Sequence, residues 1–327
     1  MTKALVTGGG GFLGRYIVEQ LLERGDDVTI AARGDYPELV KMGAQQVRGD
    51  LANPGVARDA CNGMDIVYHV AAKAGLWGPY DDFYQANVVA TENILAACRE
   101  CGVGKLVYTS SPSVIFDNQP HTGCDESVPY PEYYESFYPQ TKAMAERKVI
   151  AANSDALLTV SLRPHLIWGP RDPHILPGII SRAREGKLIQ VGDGTNKVDM
   201  VYVEDAAYAH LQAADALKPG APVCGANYFI TQDEPVNLWE WIRNLLIRLD
   251  IAPPKHNISL RTARAIGTVM ESAYRWLPLQ GEPRMTRFLA SELAMSHYYD
   301  ISRAKNDFGY QPQWTMDAAL EKTLPTL

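Results

Sequence analysis

The chain has 327 residues, of which 46% are hydrophobic and 21% charged, which is typical of a globular protein with one large domain or two smaller ones. Its formal net charge of −7 argues against a nucleic-acid surface, which requires clustered positive charge. The N-terminus has no signal-peptide pattern, and no run approaches the roughly 20 apolar residues of a membrane-spanning helix, so a cytoplasmic location is expected.

Short apolar runs alternate with helical patterns through the first half of the chain. Residues Leu13–Arg24 repeat their apolar side chains at helical spacing. Strands that alternate with helices need right-handed crossovers, so the sequence predicts an α/β fold with a Rossmann-type, doubly wound parallel sheet. The predicted strands are Lys3–Thr7, Asp27–Ala31, Gln46–Arg48, Ile66–Val70, Leu106–Ser110 and Leu158–Arg163.

The pattern loosens after residue 163, where prolines break the chain into turns and a short helix, Pro177–Glu185. Val198–Val203 and Asn227–Thr231 resemble strands that return to the sheet. We therefore expect a dinucleotide-binding domain of residues 1–165, completed by returning segments at about 197–216 and 226–232. A smaller, mostly C-terminal α/β lobe of residues 166–196 and 233–327 would bind the substrate.

The first predicted strand runs directly into a glycine-rich turn with glycines at positions 8, 11 and 14. Glycine allows the tight turn and lets a pyrophosphate approach the backbone, and the following helix offers free N–H groups to the phosphates. A strand before the turn and a helix after it provide the context that this motif requires. The expected contacts are Gly8, Gly11, Phe12, Leu13 and Gly14.

The end of the second strand bears on the choice between NAD and NADP. NAD-binding folds place an acidic residue there for the ribose 2′-hydroxyl. This chain has Ala32 followed by Arg33, and an arginine can pair with a 2′-phosphate. The sequence favours NADP(H), while Asp35 nearby leaves NAD(H) open.

Tyr138 and Lys142 stand four residues apart, on one face of a helix. A phenol is a poor proton-transfer group at neutral pH, and a nearby ammonium lowers its pKa by stabilising the phenolate. The pair predicts acid–base catalysis at an oxygen.

Cys98 and Cys101 have the C-x-x-C spacing of many metal and redox sites, but they fall late in a helix without a second Cys/His pair. We therefore predict no metal site.

Together these motifs resemble the extended short-chain dehydrogenase/reductase superfamily. The resemblance implies that Asp50 and Leu51 contact adenine and that the small residues Ala71 and Ala72 let the cofactor lie against the backbone. Asn87, in an Asn-Val-Val-Ala-Thr-Glu-Asn run, and Pro164 are implied cofactor contacts too. Tyr138 and Lys142 are also expected to contact the cofactor, the lysine through the nicotinamide ribose. The superfamily's catalytic serine lies three residues before a valine, which selects Ser111 over Ser110 and completes a triad with Tyr138 and Lys142.

The runs Cys124–Tyr130, Arg163–His174 and Gly192–Asp205 narrow the resemblance to the 3β-hydroxysteroid dehydrogenase/isomerase family. Two of its branches are most similar, the 2-alkyl-3-oxoalkanoate reductases and the sterol-4α-carboxylate 3-dehydrogenases. Both act on an oxygen β to a carboxylate on a bulky hydrophobic molecule. The residues predicted to contact this substrate are Ser113, His165, Arg171 and His174.

The function that these features favour is NADPH-dependent reduction of a 2-alkyl-3-oxoalkanoate, a β-keto acid. The alternative within the family is a sterol or hydroxysteroid 3-dehydrogenase. A nucleotide-sugar epimerase and a non-catalytic NADP(H)-binding protein are the further alternatives.

Residues Leu260–Leu277 form an amphipathic helical pattern with basic flanks. Packing on the small lobe is the simpler interpretation, and a lid or a peripheral contact with a membrane is the alternative. A multienzyme contact and a homodimer are further expectations, the dimer by analogy with the family.

Overall fold

A seven-stranded parallel sheet dominates the computed structural model, which describes residues 1–277 and 279–327. The strands of this described part are β1 (Lys3–Thr7), β2 (Asp27–Ala32), β3 (Gln45–Arg48), β4 (Ile66–His69), β5 (Lys105–Thr109), β6 (His121–Cys124), β7 (Leu158–Pro164), β8 (Ile167–Trp168), β9 (Gln190–Val191), β10 (Lys197–Val198), β11 (Val201–Tyr202), β12 (Ala226–Ile230), β13 (Val236–Asn237), β14 (Asn257–Ile258) and β15 (His297–Tyr299).

The main sheet has the strand order β12-β7-β5-β4-β1-β2-β3, and its neighbouring strands all pair in parallel. The order reverses between β1 and β4. Open α/β sheets bind ligands at such a switch point, beyond the carboxyl ends of the strands. The sequence therefore places the glycine-rich turn after β1 at the expected crevice.

Helices cover both faces of the main sheet. The helices of the described residues are α1 (Phe12–Glu23), α2 (Pro37–Lys41), α3 (Pro54–Cys61), α4 (Tyr80–Phe83), α5 (Ala90–Cys101), α6 (Phe137–Ala151), α7 (Ile175–Arg184), α8 (Val203–Ala216), α9 (Leu238–Arg248), α10 (Leu260–Trp276), α11 (Arg287–Ala294), α12 (Ser302–Phe308) and α13 (Met316–Thr323), with a π-helix at Tyr84–Val89 and 3₁₀ turns at Pro112–Ile115 and Leu324–Thr326. Helices α1 and α8 pack together, while α3, α5 and α6 form a second layer.

Two hydrophobic cores lie on the two faces of the sheet. Successive strand residues alternate between them, so Leu5 belongs to the core with α3, α5 and α6, while Val6 belongs to the core with α1 and α8. A strand that is buried on both faces has an almost continuous run of apolar residues in the sequence. For this reason β1, β4 and β5 could be predicted from the sequence.

The predicted Val198–Val203 strand is wrong as a strand of the main sheet. The chain forms two short strands there, β10 and β11, which pair in smaller sheets, and α8 begins at Val203. The acidic Glu204 and Asp205 lie in the first turn of α8, where the positive end of the helix dipole stabilises their negative charges. The other returning strand is confirmed, because β12 pairs with β7 at the edge of the sheet.

A third core lies outside the main sheet, between α7, α9 and α13. Trp168, Trp239 and Trp241 are buried in it, together with Leu245 and Leu320. The helix α10 packs on α11 nearby and buries Ala263, Gly267 and Glu271. The division of the chain into two lobes near residue 165 stays a prediction.

Much of the predicted apolar face of α10 is not packed against protein. Val269 is 70% exposed and Leu277 is 56% exposed, whereas Ile266 and Met270 line a cavity. Within residues 1–277 and 279–327, no helix is long and apolar enough to span a bilayer. The peripheral membrane contact, the multienzyme contact and the homodimer stay predictions.

Candidate active site

The glycine-rich turn has a conformation that only glycine adopts without strain at its first position. Gly8 has φ +68°, and its N–H donates to the carbonyl oxygen of Ala31 at 2.8 Å. A Cβ on Gly8 would lie 2.9 Å from the Cα of Ala71, and a Cβ on Gly14 would lie 2.2 Å from the Gly8 oxygen. The turn after β1 therefore packs directly on the end of β4 and leaves the first N–H groups of α1 free.

One cavity of about 2260 Å³ extends from this turn to the third core. Ligand pockets usually measure about 300–1,000 Å³, so this cavity has room for a dinucleotide and a further molecule. The predicted site residues that line it are Gly8, Gly11, Phe12, Leu13, Gly14, Arg33, Asp50, Leu51, Ala71, Ala72, Ser111, Ser113, Tyr138, Lys142, Pro164, His165 and His174.

Asn87 does not line the cavity, contrary to the predicted cofactor contact. Its side-chain oxygen accepts from the Lys73 N–H at 2.7 Å, and its amide nitrogen donates to the Lys73 carbonyl and to Thr141 Oγ1 at 3.1 and 3.0 Å. Asn87 lies in the π-helix and is 1% exposed. It ties the segment after β4 to the catalytic helix α6, so its role in the described structure is positional.

A buried chain of hydrogen bonds fixes the end of β4 that forms the cavity wall. Thr7 Oγ1 accepts from the N–H groups of Val70 and Ala71, both at 3.1 Å, and therefore donates its own proton to His69 Nδ1 at 2.8 Å. The other ring nitrogen, Nε2, then donates to Thr91 Oγ1 at 2.9 Å. Burial lowers the pKa of His69 to about 3, so the ring is neutral and serves as a fixed spacer.

Ser111 stands at the N-terminus of the short 3₁₀ turn after β5, where its hydroxyl caps the backbone. Its Oγ accepts from the N–H of Ser113 at 3.2 Å and from the Ser113 hydroxyl at 3.0 Å. Because Oγ accepts both of these bonds, the Ser111 O–H is left to donate, either to the neighbouring Tyr138 phenol or to a bound molecule. Ser111 is thereby prepared to donate to an oxygen in the cavity.

Tyr138 lies in the first turn of α6, as its second residue, and is a neighbour of Ser111. Burial raises the pKa of the Tyr138 phenol, and hydrogen bonding with Ser111 partly opposes that rise. The sequence predicted the opposite direction, a pKa lowered by Lys142. The Lys142 ammonium instead donates to the Thr109 carbonyl at 2.5 Å and lies 4.2 Å from the centre of the Tyr108 ring. The phenol is therefore protonated at neutral pH.

Lys142 is one of the most deeply buried cations of the chain, with 2% of its surface exposed. Burial lowers its pKa to about 7, and the Glu146 carboxylate opposes this shift. Glu146 follows Lys142 by one helical turn on α6. The lysine is therefore poised between its charged and neutral forms near physiological pH.

Glu146 forms a buried ion pair that the sequence analysis missed. Its carboxylate accepts from Arg163 at 2.9 and 3.0 Å, from Ser161 at 2.7 Å and from Tyr130 at 2.8 Å. Tyr138, Lys142 and Glu146 recur every fourth residue, so one helix face carries all three. That spacing, together with a charged Arg163 in an apolar strand, is the signal that could have revealed the pair.

Replacement of Glu146 by alanine is expected to lower the free energy of unfolding by about 3–5 kcal/mol, because it leaves the Arg163 guanidinium buried without its partner. Urea unfolding measures this loss. The matched control is Glu321→Ala, which removes an exposed pair with Arg248 and should cost at most about 1 kcal/mol. Equal losses in the two variants would contradict the role given to Glu146.

Arg171 lies outside the cavity, so the predicted substrate contact is not supported. Its guanidinium forms two bonds of 2.7 Å to the Glu19 carboxylate and lies 4.0 Å from the centre of the Tyr16 ring. These contacts hold the loop after β8 against α1. His174 lines the cavity as an exposed residue at the start of α7, and His165 is buried in the wall.

Other wall residues were not predicted from the sequence. The Tyr36 ring lies so close to the glycine-rich turn that a Cβ on Gly10 would come within 2.1 Å of it. His297 contacts His165 from a strand more than a hundred residues away in the chain. The apolar part of the wall comes largely from the third core and the neighbouring helices, and it includes Trp239, Ile242, Ile266, Met270, Phe288 and Leu289.

Comparisons with known proteins identify the family of the chain. The model of the 3-beta hydroxysteroid dehydrogenase/isomerase family matches residues 5–261. A 2-alkyl-3-oxoalkanoate reductase from Stenotrophomonas maltophilia is 48% identical over 324 residues, which cover 98% of each chain. The decarboxylating sterol-4-alpha-carboxylate 3-dehydrogenase of Mus musculus is 36% identical over 330 residues, covering 98% of this chain and 90% of that one.

A solved UDP-glucuronic acid 4-epimerase from Bacillus cereus, in complex with NAD, superposes with a TM-score of 0.73 at 21% identity, covering 99% of this chain and 98% of the other. This likeness supports a shared fold alone. The family model and the two relatives extend over most of the chain. The chain therefore belongs to the 3-beta hydroxysteroid dehydrogenase/isomerase family and is an oxidoreductase that acts on a CH–OH or C=O group with a nicotinamide cofactor.

Proposed function

We propose that this enzyme reduces the 3-oxo group of a 2-alkyl-3-oxoalkanoate, with NADPH as the reductant. The observation that carries the proposal is that Ser111, Tyr138 and Lys142 line the same cavity as the glycine-rich turn and a large apolar wall. The 48% identical relative named for this activity supports the choice of substrate.

The cavity fits a dinucleotide at its glycine-rich end. A Cβ on Gly8 or Gly14 would overlap neighbouring backbone atoms, so the tight turn depends on glycine, and the free N–H groups at the start of α1 suit a pyrophosphate. Asp50 and Leu51 would hold the adenine, and Ala71 and Ala72 would pack along the cofactor. When bound, a nicotinamide dinucleotide supplies the hydride of the reduction.

The chain's own residues supply the proton and hold the oxygen. Tyr138 donates its phenolic proton to the substrate oxygen as that oxygen gains negative charge, and Ser111 donates a hydrogen bond to the same atom. Burial keeps the pKa of Tyr138 above its usual value, so the phenol carries its proton at neutral pH and is available as the donor. Lys142 adds a buried positive charge near the tyrosine in the fraction of molecules in which it is protonated, because burial lowers its pKa to about 7.

Arg33 lines the end of the cavity where a 2′-phosphate would lie, and Arg48 is its neighbour outside the cavity lining. Arg33 follows β2 and is exposed, and Arg48 ends β3 and donates from Nε to the Arg33 carbonyl at 3.1 Å. Neither guanidinium is in an ion pair among the described residues. Ala32 provides no carboxylate to repel a phosphate, so this arrangement supports a preference for NADPH over NADH.

Arg33→Ala is expected to raise the ratio of the NADPH KM to the NADH KM by about 10- to 100-fold, because it removes charged hydrogen bonds worth about 1.5–3 kcal/mol. Initial rates with both cofactors on one ketone measure the ratio. Arg275→Ala, an exposed arginine on α10, is the control and should leave the ratio unchanged. An unchanged ratio in Arg33→Ala would argue for NADH or for no preference.

A sterol-4α-carboxylate 3-dehydrogenase is the second candidate function. The 36% identical mouse relative and the size of the apolar cavity favour it over a sugar-nucleotide epimerase or a non-catalytic protein. Parallel assays with a 2-alkyl-3-oxoalkanoate and NADPH, and with a 3β-hydroxysterol 4-carboxylate and NAD⁺ or NADP⁺, separate the candidates. Turnover of the sterol acid alone would overturn the proposal, and turnover of neither would favour the remaining alternatives.

A further inference from the structure

A buried pair of histidines forms part of the cavity wall. His165 directly follows β7, and His297 begins β15. The two rings are 5% and 1% exposed, and Nε2 of His165 lies 2.7 Å from Nδ1 of His297. Both residues line the cavity, so this polar pair interrupts a wall that is otherwise largely apolar on its substrate side.

The partners of the pair fix its protons. Nε2 of His297 lies 2.8 Å from the backbone oxygen of Glu292, which can only accept, so Nε2 carries the proton. In a neutral ring the Nδ1 of His297 is then an acceptor and receives the proton of His165 Nε2. The Nδ1 of His165 is thereby left as an acceptor, and it has no hydrogen-bond partner within the described chain.

The backbone around His165 holds the ring in one orientation. The His165 N–H donates to the Ile230 carbonyl at 3.1 Å, and Leu166 has φ +42°, in the left-handed region that non-glycine residues avoid. Strain of this kind persists only where surrounding contacts maintain it, and it is concentrated at functional sites. The ring is therefore presented to the cavity by a rigid support.

Strand register places His165 close to Ser111. Thr109 of β5 is paired with Leu162 of β7, and the Ser110 N–H donates to the Leu162 carbonyl at 2.6 Å. Continuing that register sets Ser111 opposite Pro164, and His165 comes one residue later. Neighbouring strands are about 4.8 Å apart, so Ser111 and His165 follow adjacent strand ends at the same edge of the sheet.

The other basic side chains of the wall are less suited to bind an acid next to Ser111. Lys73 is paired with Asp82 at 2.6 Å, and Lys187 is paired with Glu185 at 2.8 Å. Lys142 donates to the Thr109 carbonyl. The remaining basic side chains of the described wall are all exposed to solvent. They are Arg33, Arg182, Arg284 and His174.

We propose that His165 binds the carboxylate of the substrate, taking up one proton from solvent on Nδ1 as it does so, and that His297 is its positioning residue. This inference rests on the proposed reduction of a β-keto acid. The carboxylate would accept a charged hydrogen bond from His165 while Ser111 and Tyr138 hold the 3-oxygen. Recognition of the acid then depends on a residue that is neutral in the free enzyme.

The surroundings of His165 set the direction of the pH dependence. Burial, reinforced by His297 and His121, holds the pKa of His165 well below its usual range, so the free ring is neutral at pH 7. A bound carboxylate favours the charged ring and raises that pKa, so binding is tighter at lower pH. The titratable groups around the ring are His297 and Tyr299 on β15, His121 on β6 with its partner Asp117, Glu292 on α11, and Asp199 behind Tyr299.

The test compares a 2-alkyl-3-oxoalkanoate with its methyl ester, which keeps the 3-oxo group and loses the charge. For the wild type, the acid KM is expected to rise by up to about tenfold per pH unit above neutrality relative to the ester KM. His165→Gln keeps an amide in place of Nε2 and removes Nδ1. It should raise the acid-to-ester KM ratio at pH 7 about 30-fold, the scale of one charged hydrogen bond.

His165→Asn places an amide near Nδ1 that can donate without titrating. It should recover part of the acid affinity and abolish the pH dependence of the ratio. His297→Phe keeps a ring beside His165 but removes the acceptor, and it should change that pH dependence. His256→Gln, an exposed histidine outside the cavity wall, is the control and should behave as the wild type.

Three results would overturn the inference. The first is an acid-to-ester KM ratio of the wild type that does not change with pH. The second is a His165→Gln variant with the same KM ratio as the wild type. The third is a His165→Gln variant that loses NADPH affinity while its KM ratio is unchanged. Failure of the proposed function is distinct, because the wild type would then reduce neither the acid nor the ester. Thermal unfolding and NADPH titration confirm that each variant is folded.

Discussion

Replacement of Tyr138 by phenylalanine is expected to lower kcat by a factor of about 10²–10⁴, the usual contribution of general acid catalysis. The variant loses only the phenolic oxygen, so the ring itself is retained. NADPH affinity should change by less than about threefold, because the glycine-rich turn and the adenine end of the cavity are untouched. Single-turnover rates and fluorescence titration of NADPH measure the two quantities separately.

The control for this variant is Tyr133→Phe, which removes a hydroxyl from a side chain that is 66% exposed and outside the cavity wall. Its kcat should equal that of the wild type. Turnover by Tyr138→Phe within tenfold of the wild type would remove the tyrosine from the proton-transfer step. A parallel loss of NADPH affinity would show that the tyrosine acts mainly in binding.

The position of Lys142 bears on how this tyrosine works. The sequence suggested that the ammonium acts directly on the phenol and lowers its pKa. In the structure the ammonium donates to the Thr109 carbonyl, and burial raises the pKa of Tyr138. The lysine is also close to its own midpoint, with a pKa of about 7. The site therefore holds a protonated acid and a lysine whose charge responds to small changes in its surroundings.

The features that could be predicted from the sequence are those set by nearby residues. β1 is the strand Lys3–Thr7 as predicted, and the other predicted strands of the first half end within one or two residues of their observed bounds. A buried parallel strand can be predicted from the apolar residues of the strand itself, and the glycine-rich turn from the spacing of its glycines. Both depend on chain segments of fewer than twenty residues.

The features that could not be predicted depend on contacts between distant segments. Arg171 was assigned to the substrate because nothing in its neighbourhood shows that Glu19, on a helix 152 residues earlier, would pair with it. Asn87 was assigned to the cofactor, although its amide is used by the Lys73 backbone. The His165–His297 pair joins residues 132 apart. Each outcome is decided by tertiary packing.

The glycine-rich turn gives the second large expected effect. Gly14→Ala should weaken NADPH binding by about 5- to 150-fold, because the new Cβ would lie 2.2 Å from the Gly8 oxygen and 2.8 Å from the Gly8 carbonyl carbon. Both atoms are backbone, so no side chain can move aside to relieve the overlap. Overpacking of this kind costs about 1–3 kcal/mol, and relief requires α1 to move away from the turn whose N–H groups would bind the pyrophosphate.

Isothermal titration with NADPH and urea unfolding separate the two parts of this effect. The control is Gly104→Ala, whose new Cβ would have only the Asp65 oxygen nearby, at 4.0 Å, and which should alter neither affinity nor stability measurably. If Gly14→Ala bound NADPH as the wild type does, the contact between α1 and the turn would be free to relax. The turn would then be a flexible loop that adapts to the cofactor, and the close packing of Gly8 on Ala71 would not determine where the phosphates bind.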